Sequence, residues 1–241
     1  MERTKVYFVA DIHLGMKGGD PAEREKRFVE WLKGIRKPET KSLWLLGDIW
    51  DFWYEYRDVI PREAARVTAQ IISLVDEGIE VYYVPGNHDV WLYSFWQQMG
   101  VKVLPQTQEV ELDGKHFLLG HGDALGGAKF GYRLMRGIFY SRFCQVLFNQ
   151  MHPWLAYRFG TGWSNSNRNR HPDYKFRGAE EPLYKFCIGY GKGADFFIFG
   201  HFHDAVDMPL PSGGRLIVLK DWIGDSAPHY AVWDGRDLEV L

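Results

Sequence analysis

The sequence predicts an α/β fold made of two mixed β-sheets packed face to face and flanked by helices. Three observations carry that expectation. Short apolar runs alternate with amphipathic helical stretches in the N-terminal part, Asp-Gly turn signals follow further on, and a long aromatic segment interrupts the strand rhythm between them.

The strand-like runs are rich in β-branched and aromatic residues, cover residues 6–10, 42–46, 80–84, 117–119 and 195–199, and each is soon followed by Gly or Asp. Between the first two, residues 21–37 place Phe28, Trp31, Leu32 and Ile35 at the i, i+3, i+4, i+7 spacing of a buried helix face. Asp20 and Glu23 resemble a capping box at its start. Residues 63–76 predict a second helix with Val67, Ile71, Leu74 and Val75 on one face and Gly78 just past its end. This β-α-β-α-β order implies a largely parallel sheet. Asp113-Gly114 and Asp234-Gly235 lie between strand-like runs where type I′ hairpin turns are expected, so the later part of the chain is partly antiparallel. Residues 125–190 read as a helical insertion or cap, aromatic first and polar at its end, where a mobile loop is expected.

A chain of 241 residues with 46% hydrophobic and 25% charged residues can bury one substantial core, which suits a single domain over 1–241. The net charge of -2 counts against a protein built to follow long polyanions, so no nucleic-acid partner is expected. Cys144 and Cys187 are too few for a disulfide framework or a thiolate metal site; they read as small buried hydrophobes in a reducing compartment. The start MERTKVYFVADIH lacks a secretory apolar segment, and no run approaches the roughly 20 apolar residues that span a bilayer. A cytoplasmic location is expected, with membrane contact only peripheral. The aromatic content of 16%, including 10 Trp, leaves room for a surface that binds an apolar ligand.

Each strand-like run is followed by residues able to bind metal: Asp11 and His13 in ADIH, Asp48 in LGDIWDFW, Asn87, His88 and Asp89 in PGNHD, His121 in GHGD, and His201 and His203 in GHFH. In α/β sheets the crevice beyond the carboxyl ends of the strands gathers residues distant in sequence. Gly47, Gly86, Gly120 and Gly200 beside them would let the backbone turn tightly and approach the metals. Two divalent ions about 3.5–4 Å apart repel each other, so anionic oxygens and neutral imidazoles are needed, with one carboxylate bridging; Asp48 is read as that bridge. His201 and His203 alternate along an extended segment and so face the same side. A water shared by the ions would become hydroxide near neutral pH and serve as nucleophile. Of the nine His residues, five lie in these motifs, which makes an accidental set improbable.

Asp-x-His, Gly-Asp, Gly-Asn-His-Asp, His-Gly-Asp and Gly-His-x-His in this order resemble the calcineurin-like metallophosphoesterase superfamily, from Val6 to His203. The resemblance implies a four-layer αββα sandwich. It implies one metal on Asp11, His13, Asp48 and His203 and another on Asp48, Asn87, His121 and His201, with Mn²⁺ the expected ion and Fe²⁺ or Zn²⁺ alternatives. It also implies His88 as general acid or phosphate contact, oriented by Asp51 or Asp89 and acting with Asp48 and Asn87.

Within the superfamily the chain is most similar to the UDP-2,3-diacylglucosamine pyrophosphatases, through ADIHLG, LLGDIWDFW, VPGNHD, LGHGDAL with Gly131-Tyr132, and the helical segment before GHFH. That resemblance implies cleavage of a nucleotide-linked lipid to UMP and 2,3-diacylglucosamine 1-phosphate (lipid X) in lipid A synthesis, on the inner-membrane surface. The implied substrate contacts are Asn87, His88, Lys129, Tyr132, Ser164, Asn167, Arg168 and His201. Three departures stand out: His88 replaces a frequent Arg, Lys129 a frequent acid, and the spacing within Ser164 to Arg170 is unusual. Ile138, Phe139, Phe143, Val146, Leu147, Met151, Trp154 and Leu155, with Arg133, Arg136 and Arg142 among them, form either a slot for acyl chains or an ordinary core-facing hairpin. The alternative is a related phosphoesterase acting on a soluble nucleotide or other phosphodiester.

Overall fold

The computed structural model describes residues 3–123, 125–127, 130–170, 174–224 and 228–241, with the side chains of 165–170 excepted. Strands β1 (Lys5–Val9), β2 (Thr40–Leu45), β3 (Glu80–Tyr83) and β4 (Lys102–Val103) are parallel neighbours. The antiparallel strands β10 (Ala231–Trp233) and β11 (Leu238–Val240) extend this sheet to the order β11-β10-β1-β2-β3-β4. The second sheet runs β5-β6-β7-β9-β8, from β5 (Thr107–Leu112), β6 (Lys115–Gly120), β7 (Phe196–Phe199), β8 (Val206–Pro209) and β9 (Arg215–Val218). Its centre, β6, β7 and β9, is parallel.

The period of two along each strand divides the apolar residues among three cores. In β1, Val6 and Phe8 face the second sheet and meet Phe117, Ile198, Ile217 and Trp233, while Tyr7 and Val9 face the helices. Helix α1 (Pro21–Gly34) buries Phe28, Val29, Trp31 and Leu32 there, and α2 (Ala65–Asp76) buries Val67, Ile71 and Leu74. On the far side, Phe197 and Phe199 of β7 pack against Leu183, Tyr184 and Cys187 of a helix at Pro182–Ile188. Helix, sheet, sheet, helix is the four-layer αββα sandwich that the sequence motifs implied. Much of the tryptophan serves this packing: Trp50, Trp53, Trp96, Trp222 and Trp233 are fully buried.

Several local expectations change. Helix α2 starts at Ala65 rather than at residue 63, because Ala64 takes a left-handed φ of 54° and breaks the helix. Asp113 and Gly114 both have positive φ, 51° and 77°, as a type I′ turn requires. Asp234-Gly235 does not form that turn. Trp233 pairs with Leu238, leaving a longer loop in which Asp234 Oδ1 accepts from the backbone N–H groups of Arg236 and Asp237. Between β6 and β7 the chain forms α3 (Phe130–Tyr140), α4 (Arg142–Asn149), α5 (Pro153–Arg170) and, after a 3₁₀ turn at Gly178–Glu180, α6 (Pro182–Ile188), the outer-layer helix just described. A single short helical turn at Phe95–Gln98 precedes β4. The polar tract expected as a loop instead continues α5 through Arg170.

Candidate metal centre

The motif residues follow β1 (Asp11, His13), β2 (Asp48), β3 (Asn87, His88), β6 (His121) and β7 (His201, His203). Because β1, β2 and β3 run parallel in one sheet and β6 and β7 in the other, all of these strand ends open on one edge of the sandwich. Among the described residues seven non-glycine positions have positive φ, and five of them are Asp11, His13, Asp48, His201 and His203, at 51° to 74°. Each such position costs of order 1–3 kcal/mol and persists only where its surroundings impose it. The chain's backbone strain is therefore concentrated where the candidate ligands are. The neighbouring glycines permit the close approach: a Cβ on Gly86 would stand 2.2 Å from Asp48 Oδ1, and one on Gly200 2.2 Å from Asp11 Oδ2.

Three overlapping groups form, one of them His13, Asp51 and His88 beside the two expected ligand sets. Asp11, His13 and His203 gather on one side, with His13 Nε2 and His203 Nε2 each 3.6 Å from Asp11 Oδ1 and 3.3 Å from each other. Asp48, His121 and Asn87 gather on the other; His121 Nε2 is 3.3 Å from both Asp48 Oδ2 and Asn87 Oδ1. The same Asp48 Oδ2 is 3.9 Å from His13 Nε2, so it lies between the groups. His201 joins the second side, its ring 5.2 Å from that of His121, while its backbone N–H donates to Asp11 Oδ2 at 2.7 Å.

Three of the imidazoles are held through Nδ1 with Nε2 turned to the cluster. His121 Nδ1 donates to the Leu46 carbonyl at 3.0 Å, His203 Nδ1 lies 3.0 Å from Asp221 Oδ2, and His13 Nδ1 lies 3.3 Å from Asp51 Oδ1. A carbonyl or carboxylate on Nδ1 fixes the ring and directs the Nε2 lone pair into the cluster. Asp11 Oδ1 is fully buried and has no hydrogen-bond donor among the described residues, although a buried carboxylate oxygen is costly unless something positive faces it. The donor set of carboxylates, neutral imidazoles and an amide oxygen fits divalent cations.

Burial disfavours charge on His13, yet Asp11 and Asp51 outweigh it and raise its pKa to about 9. Burial likewise opposes charge on Asp48, but the surrounding imidazoles, His121 first, hold it well below the usual carboxylate range. Burial, reinforced by His121, pushes His201 down to about 4. Burial also lowers His88, which favours the uncharged ring.

His88 Nδ1 donates to the backbone carbonyl of Asp51 at 2.9 Å, which leaves Nε2 directed toward the cluster, 3.8 Å from Asp48 Oδ2. Of the two orienting residues expected, Asp51 holds the ring and does so mainly through its main chain. Asp89 instead accepts from the backbone N–H groups of Gly86, Asp48 and Ile49 and from the Tyr83 hydroxyl, tying the β2 and β3 loops together. The Tyr132 hydroxyl donates to Asp123 Oδ2 at 2.7 Å, and the Ser164 hydroxyl to Asp51 Oδ2 at 2.8 Å. Both of these expected substrate contacts border the cluster with their hydroxyls turned onto protein carboxylates. Lys129 and the side chains of Asn167 and Arg168 lie outside the described residues.

Sequence reasoning missed Asp221 as the partner of His203, although it follows β9 as the other acids follow their strands. It also missed Arg24, a buried guanidinium on α1 that donates to the His13 and Met16 carbonyls and braces the loop after β1.

From the cluster an apolar cavity of about 230 Å³ leads away. Asp51, Asn87 and His88 line one end, and Ile138, Phe139, Phe148, Phe159 and Trp163 of α3, α4 and α5 line the other. Of the eight apolar residues read as either a slot or a core-facing hairpin, Ile138 and Phe139 line the cavity. Phe143, Val146, Leu147, Trp154 and Leu155 instead face outward, 47% to 72% exposed, because their helices have only one face on the protein. Arg136 does not rim the slot either; it pairs with Asp123.

A two-sheet sandwich carrying paired carboxylate–imidazole groups at its strand ends defines a metallophosphoesterase. Residues 4–205 match the calcineurin-like phosphoesterase family, and the chain belongs to that family of hydrolases. Within it, the chain is 37% identical to a UDP-2,3-diacylglucosamine hydrolase of Porphyromonas gingivalis, over 98% of this chain and 96% of the relative. A protein of the same name from Vibrio vulnificus is 25% identical over 96% of both chains, and one from Neisseria gonorrhoeae 32% identical over 59% of this chain and 58% of its own. Among solved structures, a dimetal phosphatase from Danio rerio superposes with a TM-score of 0.52 at 14% identity, covering 100% of this chain and 96% of its own. An archaeal phosphodiesterase gives 0.50 at 12% identity over 98% of both chains. At such identities these two speak for the fold alone.

Proposed function

We propose that the chain hydrolyses the diphosphate of UDP-2,3-diacylglucosamine to UMP and 2,3-diacylglucosamine 1-phosphate, the step that yields lipid X for lipid A. The observation that carries this reading is the apolar cavity that opens beside His88, Asn87 and Asp51, because it joins a site for phosphate chemistry to a site for hydrocarbon.

One ion would be held by Asp11, His13, Asp48 and His203 and a second by Asp48, Asn87, His121 and His201, with Mn²⁺ proposed and Fe²⁺ or Zn²⁺ the alternatives for oxygen and imidazole donors. When bound, the pair supplies Lewis acidity toward the diphosphate oxygens and eases deprotonation of the attacking water. The chain's own residues do the rest. His88, held through Nδ1 by the Asp51 carbonyl, turns Nε2 toward the cluster, and with a proton on Nε2 it would donate to a phosphoryl oxygen. Asn87, beside it, reaches the same face of the cluster. The aromatic cavity takes the acyl chains and keeps water from the reacting phosphate.

The domain spans 1–241, and 125–190 serves as a helical cap whose last helix closes back onto the sandwich. The outward apolar face of α3 to α5, with the exposed Arg133 and Arg142 beside it, suits peripheral attachment to the anionic cytoplasmic surface of the inner membrane. No helix among the described residues is long and apolar enough to cross a membrane.

The test is a metal-supplemented assay that compares UDP-2,3-diacylglucosamine with bis-p-nitrophenyl phosphate and free nucleotides. A preference for the lipid in kcat/KM by orders of magnitude is expected; preference for the small substrates overturns the lipid reading. In oxygen-18 water the label is expected in UMP, and label in the sugar phosphate reverses the point of attack.

A further inference from the structure

The apolar cavity has a second space behind one of its walls. An outer cleft of about 290 Å³ lies between the loops after β2 and β3 and helix α4, lined by Tyr56, Tyr93, Arg142, Val146 and Asn149 among others. Among the described residues, Tyr54 and Gln145 alone line both spaces, so they form the partition between them. Asp51, Asn87, His88 and Ser164, the polar groups of the cavity beside the metal cluster, do not line the cleft. The partition is therefore the side of the cavity that a chain entering from the phosphate would meet last.

The partition is firmly held. Tyr54 is 1% exposed; its hydroxyl donates to the backbone carbonyl of Gln145 at 3.1 Å, and its own carbonyl accepts from the Tyr157 hydroxyl at 2.8 Å. One residue of the β2 loop is thus tied to α4 and α5 at once. Gln145 Nε2 donates to the Phe139 carbonyl at 2.8 Å, and Trp91 Nε1 donates to the same carbonyl at 3.0 Å, which brings α3 into the frame. The Tyr54 ring packs against two cavity residues, Phe148 and Trp91, with centroids 4.8 and 5.3 Å away, and against two cleft residues, Tyr56 and Tyr93, at 4.9 and 5.8 Å. A ring packed and hydrogen-bonded in this way yields little to a ligand that presses on it.

We propose that Tyr54, braced on Gln145, is a specificity-determining residue: its ring is the stop that sets the length of acyl chain the cavity accepts. The inference rests on the cavity being the acyl site proposed above. At about 230 Å³ the cavity falls below the roughly 300–1,000 Å³ of pockets that enclose drug-sized ligands, so the position of one wall decides much of what it holds. Each methylene that enters it leaves water and adds to binding. At the Tyr54 ring that gain ends, because a further methylene has to displace packed atoms or remain outside.

The test is a competition assay with the full-length protein and Mn²⁺, in which pairs of UDP-2,3-diacylglucosamines that differ only in acyl length share the same mixed micelles, so that presentation of the lipid cancels. In the wild type, kcat/KM is expected to climb about fourfold per added methylene, the equivalent of burying one CH₂, and to stop climbing at a fixed length. Tyr54→Ala should move that break to longer chains and raise the relative kcat/KM of a chain just beyond the wild-type break about tenfold. Tyr54→Phe, which keeps the ring, should leave the break in place. If Tyr54→Ala does not fold, Tyr54→Leu, apolar but shorter than the ring, decides by the same shift. An unchanged break in the folded variant overturns the proposal, as does a wild-type profile without a break. Hydrolysis of bis-p-nitrophenyl phosphate should be unaltered in every variant; a loss there as large as the loss on the lipid means that Tyr54 supports the metal cluster and also overturns the stop. A wild-type protein that prefers bis-p-nitrophenyl phosphate and ignores acyl length defeats the lipid reading instead.

Discussion

Asp11, Asp48 and His121 at the strand ends are 1% exposed or less, whereas α3 and α4 of the cap contain no buried residue among those described. The two regions meet at Asp51 and Asp123 and do opposite things. At the strand ends, fixed dipoles and strained backbone hold charged groups where water is excluded, which preorganises them for phosphate chemistry. In the cap, apolar side chains line a cavity or face outward, where a flexible hydrocarbon ligand can be accommodated without exact fit. Under the proposed function, chemistry would sit at the buried strand ends and recognition in the half-exposed helices.

The division is broken most severely from the scaffold side. Asp48→Ala removes the carboxylate shared by the two groups of candidate ligands. Turnover of both lipid and small substrates is expected to fall roughly 10³-fold or more, the upper range for losing one preorganised electrostatic partner. Activity within tenfold of wild type on bis-p-nitrophenyl phosphate would remove Asp48 from the centre. The opposite substitution is Phe148→Ala in the cavity wall. It should raise KM for the diacyl substrate roughly tenfold to a hundredfold, as expected for losing a buried aromatic contact, while leaving hydrolysis of bis-p-nitrophenyl phosphate unchanged. Equal effects on both substrates would mean that the cap serves the chemistry directly.

What could be read in the sequence follows the same line. The scaffold was legible because strand periodicity and the acids and histidines after each strand are local patterns, and Val6, Phe8, Tyr7 and Val9 sort to opposite faces as alternation demands. The cap was less so. Which side of α4 and α5 faces the protein depends on the angle at which they dock, and no single helix records it; Phe143 and Leu147 therefore turned outward while Phe148 turned in. Asp221 escaped notice because its partner His203 lies on another strand, and only the sheet order brings β7 and β9 together.

Proton linkage offers a smaller and more selective probe. In the metal-free protein His13 titrates at about 9, and a bound ion requires the neutral ring. Below pH 9 each ion taken up at His13 therefore releases that proton, and apparent affinity should fall about tenfold per pH unit for each proton displaced. For the metal-free fold the sign is reversed: protonated His13 stabilises fully below its ordinary value of 6.5, and this contribution is lost as pH rises through about 9. Calorimetric titration of Mn²⁺ at pH 7 in buffers of different ionisation heat measures the protons released; none released would show that His13 is already neutral. Phe148→Ala should leave this count unchanged, since the cap residue touches no ligand.

The mildest comparison sets a remote scaffold contact against the exposed cap. Asp20 caps α1, its Oδ1 accepting from the backbone N–H groups of Ala22 and Glu23 at 3.0 and 3.1 Å. Asp20→Ala leaves those donors without that partner and should cost about 1 kcal/mol in urea unfolding, with kcat unaltered on either substrate. Phe143→Ser, at a position 72% exposed, should stay within about 0.5 kcal/mol of wild type in the same experiment. It should instead weaken binding to vesicles that contain anionic phospholipid, since a hydrophobic side chain in water contributes to attachment and not to folding. If Phe143→Ser destabilises the chain as much as Asp20→Ala does, then the outward face of α4 is packed in solution, and the cap belongs to the scaffold after all.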